Sequence, residues 1–157
     1  MNPRPGDAVR ISIRSSPWQL AVVRAAVEKM CSQVGMDDRA TGEMMLGVDE
    51  ALTNVIRHAY EDSADQPIEI ELSPCGSDEC VDCLQVVIRD EGRSVPAEQI
   101  RSRDLADIRP GGLGVHIMQT VMDHVEYTPR PDGGTVLTLR KNVNPEPNGA
   151  ASDEPPE

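Results

Sequence analysis

Apolar and polar positions alternate through VRISIR, residues 9–14, at the period of two expected of a half-buried strand. The period then changes. Leu20, Val23, Val27, Met30, Cys31 and Val34 recur at helical spacing, behind Ser15, Ser16 and the helix-opening Pro17, and Gly35 ends the run. Asp37 or Asp38 caps a second helix that runs to about Tyr60. At about 100° per residue, Met44, Met45, Val48, Leu52, Val55, Ile56 and Ala59 share one face of it and must seek a core. Glu43, Gly47, Glu50 and Asn54 fall together on the opposite side. Two more strands, Gln66–Ser73 and Cys83–Asp90, flank an acidic loop, PCGSDECVD. A long irregular segment follows, then a helix from about Gly114 to Asp123. Two closing strands, HVEYTP and TVLTLRK, are joined across Pro131, Asp132, Gly133 and Gly134. The order β-α-α-β-β-loop-α-β-β predicts a two-layer α/β sandwich, a mixed sheet with helices packed on one face. The domain spans 8–141. The remainder, 142–157, holds four prolines and four acids but no basic residue, which predicts disorder.

Composition narrows the function. The chain has 157 residues, enough for one domain with a real core. A formal charge of −12 argues against a phosphate-backbone binder, so no nucleic-acid partner is expected. Trp18, Tyr60 and Tyr127 are its whole aromatic content, too little for base stacking. Lys29 and Lys141 are the only lysines, so an anionic ligand has to be held by arginine, backbone amides or a metal. With no long apolar run and no leader pattern, the expectation is a cytoplasmic protein without a membrane partner. Four irregularly placed cysteines do not look like a secreted disulfide framework. Cys75-x₄-Cys80-x₂-Cys83 copies three of the four ligand spacings of a plant-type iron–sulfur loop, but no fourth cysteine follows. Free thiols in an acidic loop are therefore expected, with Cys31 on the apolar face of the first helix.

Three short stretches carry possible chemistry. In the second helix Glu50 and Asn54 stand one turn apart, and Gly47 costs about 1 kcal/mol against alanine unless something approaches closely there. In RPGGLGVHIMQTVMD, Gly111, Gly112 and Gly114 precede a helix, where free N–H groups and the helix dipole favour an anion. It is no P-loop, because no Lys–Ser/Thr pair follows. It is no dinucleotide fingerprint either, because Ile117 occupies the third glycine position. In VVIRDEGRSVP a strand ends on Asp90 with Gly92 two residues on. A carboxylate there suits an exocyclic amine such as adenine N6. Taken singly, each stretch also reads as something plain: a wet helix face, a loop with a helix cap, an acidic turn.

Together and in this order they resemble a family. Glu50-x-x-x-Asn54 with His58-Ala59-Tyr60 looks like the N box of the GHKL ATPase superfamily. Asp90-Glu91-Gly92 is similar to its G1 box, and Gly112-Leu113-Gly114, running into Val115, to its G2 box. Gly134-Thr135 matches a late threonine near the adenine. The short segment before the G2 box and the ending GGTVLTLRK are most similar to the anti-sigma factor serine/threonine kinases. The resemblance implies a Bergerat-type ATP-binding fold that takes ATP and Mg²⁺. It implies Asn54 as the Mg²⁺ ligand, in keeping with magnesium's preference for few hard oxygens plus phosphates. Glu50 is implied as general base toward a substrate serine. Asp90 is implied to read the adenine amine with Thr135 in support, and Gly92 to let the base lie close. Gly112, Leu113, Gly114 and Val115 are implied at the phosphates, with Arg109 or Arg103 as a lid cation. The implied partners are a sigma factor, a STAS-domain anti-anti-sigma protein and a second copy of the chain.

Ser94 stands where the superfamily's G1 box commonly has a second glycine, and Leu105–Arg109 offers little to clamp a γ-phosphate. A sensor histidine kinase is a poor fit, because His58, His116 and His124 are followed by Ala, Ile and Val instead of an acid. The competing reading is a non-catalytic ATP-binding switch that regulates another signalling partner. Glu50 favours the enzyme, since binding alone needs Asn54 but no base.

Overall fold

A computed structural model of the protein describes residues 3–78, 80–94 and 112–143. Five strands, β1 (Val9–Arg14), β2 (Pro67–Ser77), β3 (Cys80–Asp90), β4 (His124–Pro129) and β5 (Thr135–Asn142), form one sheet in the order β1-β2-β3-β5-β4. The sequence expectation is a mixed sheet; every neighbouring pair in this one runs antiparallel. The register stacks apolar residues on one face: Ile70 lies opposite Ile88, Leu72 opposite Val86, Val86 opposite Leu139 and Ile88 opposite Leu137. The alternate residues form polar ladders on the other face. Arg10 and Arg89 both pair with Glu71, Ser12 bonds Glu69, and Arg140 bonds Gln85.

Three helices, α1 (Leu20–Val34), α2 (Asp38–Asn54) and α3 (Gly112–Val121), complete the two-layer α/β sandwich. Val23, Val27, Met44, Val48, Leu52 and Met118 pack into the sheet's apolar face with essentially no exposure. Pro17–Gln19 forms a single 3₁₀ turn ahead of α1, as its serine–proline start suggests. Gly35 ends α1 in a left-handed conformation, φ 80°, while the Met36 N–H reaches back to the Cys31 carbonyl. Asp37 caps α2 by accepting the Ala40 N–H at 2.7 Å.

Several boundaries differ from the sequence expectation, each for a local reason. The second helix stays α-helical only to Asn54, then widens into a π turn over Val55–Ala59, closed by the Tyr60 N–H on the Val55 carbonyl at 3.0 Å. The acidic loop is mostly strand. β2 and β3 continue through it past a register shift at Cys75/Gly76, because Cys75 lies directly opposite Cys83 and the two are joined in a disulfide, Cα atoms 4.9 Å apart. The expected free thiols are thus corrected: Cys80, exposed, and buried Cys31 are free. Burial pushes the Cys31 thiol up to about 11, which leaves it an inert core residue. Among the described residues no three His, Cys, Asp or Glu side chains gather as a metal site. β5 continues to Asn142, and Val143, assigned to the tail by composition, is buried with its N–H on the Asp82 carbonyl. Residues 144–157 lie outside the described residues, as do Arg103, Leu105–Arg109 and Gly111. None of the described helices is long and apolar enough to cross a membrane.

Candidate nucleotide site

The side of α2 that bears Glu43, Gly47, Glu50 and Asn54 is covered by α3. Gly47 is buried because Met122 fills the place where its side chain would stand. The close approach inferred from this mid-helix glycine is therefore real, and its occupant is a methionine of the same chain. One turn further, Gly114 lies over both polar residues. A Cβ added to it would stand 2.6 Å from Glu50 Oε2 and 3.3 Å from Asn54 Oδ1. Glycine lets the start of α3 come down onto this pair without displacing the Glu50 carboxylate. The carboxylate and amide oxygens are thus brought to one spot at a helix N-terminus, an arrangement of hard oxygen donors beside amide donors. Val115 is half-buried and Leu113 exposed in the same first turn. Asp49, the other acid of the motif, faces away and binds Arg24 of α1 at 2.7 and 2.9 Å.

The π turn carries the chain from Asn54 to the end of β3. There the Arg93 N–H bonds the Ala59 carbonyl at 2.9 Å, and the Glu91 N–H bonds the Tyr60 hydroxyl at 2.8 Å. Tyr60 in turn donates to the Pro67 carbonyl at 2.5 Å. The room at Gly92, expected for an adenine base, is taken on its side-chain side by the Ala59 carbonyl. Packing of β3 on the α2 terminus already demands glycine at this position.

Asp90 is buried at the inner end of β3, 4% exposed. Its carboxylate accepts the Gly92 N–H at 2.9 Å and the Thr135 N–H. Burial raises its carboxyl above the ordinary aspartate range, while these amides and the nearby Arg130 pull the other way. Its main chain is gripped as well. Arg130 donates to the Asp90 carbonyl at 2.9 Å, and Gly134, φ 87°, presses so close that no side chain would fit against that carbonyl. Ser94 donates to the Gly134 carbonyl at 2.6 Å, tying the G1-like stretch to the β4–β5 turn. A second glycine there would lack this tie.

Of the residues expected at the site, Glu50, Asn54 and Gly114 meet directly, and Asp90, Gly92 and Thr135 form a second cluster. Gly112 opens α3, and Arg109 lies outside the described residues. Arg130 and the tie made by Ser94 were not foreseen. Both depend on how the β4–β5 turn folds over the end of β3, which no local spacing encodes.

Comparison with known proteins agrees with this fold. A family model described as a histidine kinase-like ATPase domain matches residues 13–141. The serine-protein kinase RsbW of Bacillus velezensis is 28% identical over 149 residues, covering 89% of this chain and 88% of that protein. RsbW of Bacillus subtilis is 27% identical with the same coverage. The anti-sigma F factor of Heyndrickxia coagulans is 29% identical over 110 residues, covering 68% of this chain and 71% of that one. Among solved structures, the RsbU and RsbW domains of Rv1364c from Mycobacterium tuberculosis superpose with a TM-score of 0.61 at 16% identity. The match covers 88% of this chain and a third, 33%, of that one. The blue-light activated histidine kinase EL346 of Erythrobacter litoralis gives 0.54 at 22% identity, covering 79% and 40%. At such identities these two similarities speak for the fold alone.

Proposed function

The chain belongs to the histidine kinase-like ATPase family, and from that premise we propose that it is an ATP-dependent serine protein kinase that also acts as an anti-sigma factor. The observation that carries the reading is the convergence of Glu50, Asn54 and Gly114 at the start of α3. A nucleotide-binding module needs a metal ligand and phosphate-facing amides. A carboxylate at the same spot adds the group that phosphoryl transfer to a hydroxyl requires. The kinase and anti-sigma names of the relatives point the same way.

In this reading Asp90 accepts a hydrogen bond from the adenine amine, held in place by Gly92 and Thr135. The α3 N-terminus, Gly112 to Val115, offers amides and its dipole to the phosphates, with Arg109 as a lid cation. The donors fit Mg²⁺: Asn54 would hold it through its amide oxygen, and the ion when bound neutralises phosphate charge. Glu50 takes the proton from a substrate serine hydroxyl as the oxygen bonds to the γ-phosphorus and ADP leaves. General-base help of this kind is worth about 10²–10⁴ in rate. The serine belongs to a STAS-domain anti-anti-sigma protein, and the protein otherwise holds a sigma factor, as a cytoplasmic homodimer.

Binding and chemistry separate experimentally. Asn54→Ala is expected to abolish Mg²⁺-dependent ATP binding in calorimetry, whereas Glu50→Gln keeps it. Unchanged Mg²⁺-dependent binding by the Asn54 variant would remove Asn54 from the site.

A further inference from the structure

We propose that Lys141 is a positioning residue that sets the phosphate-facing end of α3 from its opposite end, through Glu43 and the Val121 carbonyl. The inference rests on the nucleotide reading of the site above. Lysine is scarce in this chain, and an ammonium is costly to bury without partners. Yet Lys141, on β5, points inward with its side chain only 7% exposed. Its Nζ lies 2.5 Å from Glu43 Oε2 on α2 and donates at 2.8 Å to the carbonyl of Val121, the last residue of α3. Asp123 Oδ2 lies 3.8 Å away. One cation thus joins β5, α2 and α3.

The contact has the right sign and the right reach. Carbonyls at a helix C-terminus carry partial negative charge, which a cation there stabilises. Glu43's carboxyl is held below its ordinary value chiefly by the hydrogen bond from Lys141, so the pair is formed by a true carboxylate. A helix of ten residues is a rod about 15 Å long. Its far end is the turn in which Gly114 rests on Glu50 and Asn54. Met122 seated against Gly47 holds the same α2–α3 seam between the two points. Displacement at Val121 is therefore carried to Gly112–Gly114. Asp90 shares no partner with Lys141: its described ties run to Gly92, Thr135, Arg130 and Gly134. Of these only Thr135 lies on β5, six residues from Lys141 at the strand's other end. Phosphate recognition depends on Lys141, and base recognition does not.

The test uses the full chain with Mg²⁺ and compares ATP with adenosine. Lys141→Met keeps an apolar stem in the same space and removes the cation. It is expected to weaken ATP by about tenfold, within the range carried by packed networks. Adenosine should change by less than about twofold, as for a site without shared partners. Lys141→Arg should recover most of the ATP loss, and Glu43→Gln should show a smaller loss in the same direction. Without nucleotide, amide exchange of α3 should quicken in Lys141→Met while that of α1 stays unchanged. Equal losses for ATP and adenosine, or an unchanged ATP affinity, would reduce Lys141 to a stabilising contact and overturn the proposal. If Lys141→Met fails to fold, the Glu43→Gln result decides by the same ratio. If the unmodified protein itself binds no ATP, the nucleotide reading fails first and takes this proposal with it.

Discussion

At the proposed base end, Asp90 is fixed by hydrogen bonds and close contacts that engage backbone atoms from β3, the β4–β5 turn and the residues after β3. At the proposed phosphate end, Glu50, Asn54 and Gly114 meet because two helices pack closely, and their carboxylate and amide emerge from that packing. The first arrangement is rigid locally and sensitive to any added Cβ or lost hydroxyl. The second takes its geometry from the seating of a whole helix, so chemistry there depends on residues that never touch a ligand.

The largest expected contrast is chemical. Glu50→Gln should lower phosphoryl transfer by about 10²–10⁴ with the melting temperature unchanged; a full loss of folding instead would show that Glu50 supports the helix seam. At the base end the expected loss is structural. Gly134→Ala forces a left-handed backbone on alanine and drives its Cβ into the Asp90 carbonyl, at a cost of about 2–5 kcal/mol in denaturant unfolding. Near-native stability would mean the β4–β5 turn can move away from β3. Tyr60→Phe removes the acceptor of the Glu91 N–H and the donor to Pro67, worth about 1–3 kcal/mol, and should weaken adenosine and ATP alike.

Acidification sharpens the same comparison. Burial raises the Asp90 carboxyl, so the folded state binds its proton more readily than the unfolded chain. Its contribution to stability is therefore present below the unfolded value and is lost as pH rises through the folded one. Binding runs oppositely, since only the ionised carboxylate accepts an amine hydrogen with both oxygens. Adenosine affinity should fall on acidification at a pH above that of an exposed aspartate, and Asp90→Asn should remove the step. The smallest effect belongs to the surface. Arg24→Ala breaks a half-exposed ion pair with Asp49 and should cost less than about 1 kcal/mol, with ATP affinity unaltered.

Much of this molecule is legible in its sequence because periodicity reports burial directly. The strand VRISIR, the helix ending at Gly35 and the apolar face of α2 follow from spacing alone, whereas the pairing of Gly114 with Glu50 and Asn54, and of Thr135 with Asp90, crosses the chain order of the boxes. What spacing cannot carry is partnership between distant segments. Cys75 and Cys83 are eight residues apart in an apparently polar loop, and only the β2–β3 register sets them opposite each other. Gly47 announced a close approach without revealing Met122. Lys141 looked like one charge at the end of a strand, because a cation's partner on another helix leaves no periodic trace. Arg130 was silent for the same reason.

The central claim is that this chain transfers phosphate to a protein serine. The direct measurement is incubation with Mg²⁺, ATP and each small STAS-domain protein of the same genome, followed by intact-mass analysis of each. The account predicts one phosphate added to a serine of one of them, absent with Glu50→Gln. ATP binding without phosphate transfer to any of them would contradict it and leave a nucleotide-binding switch.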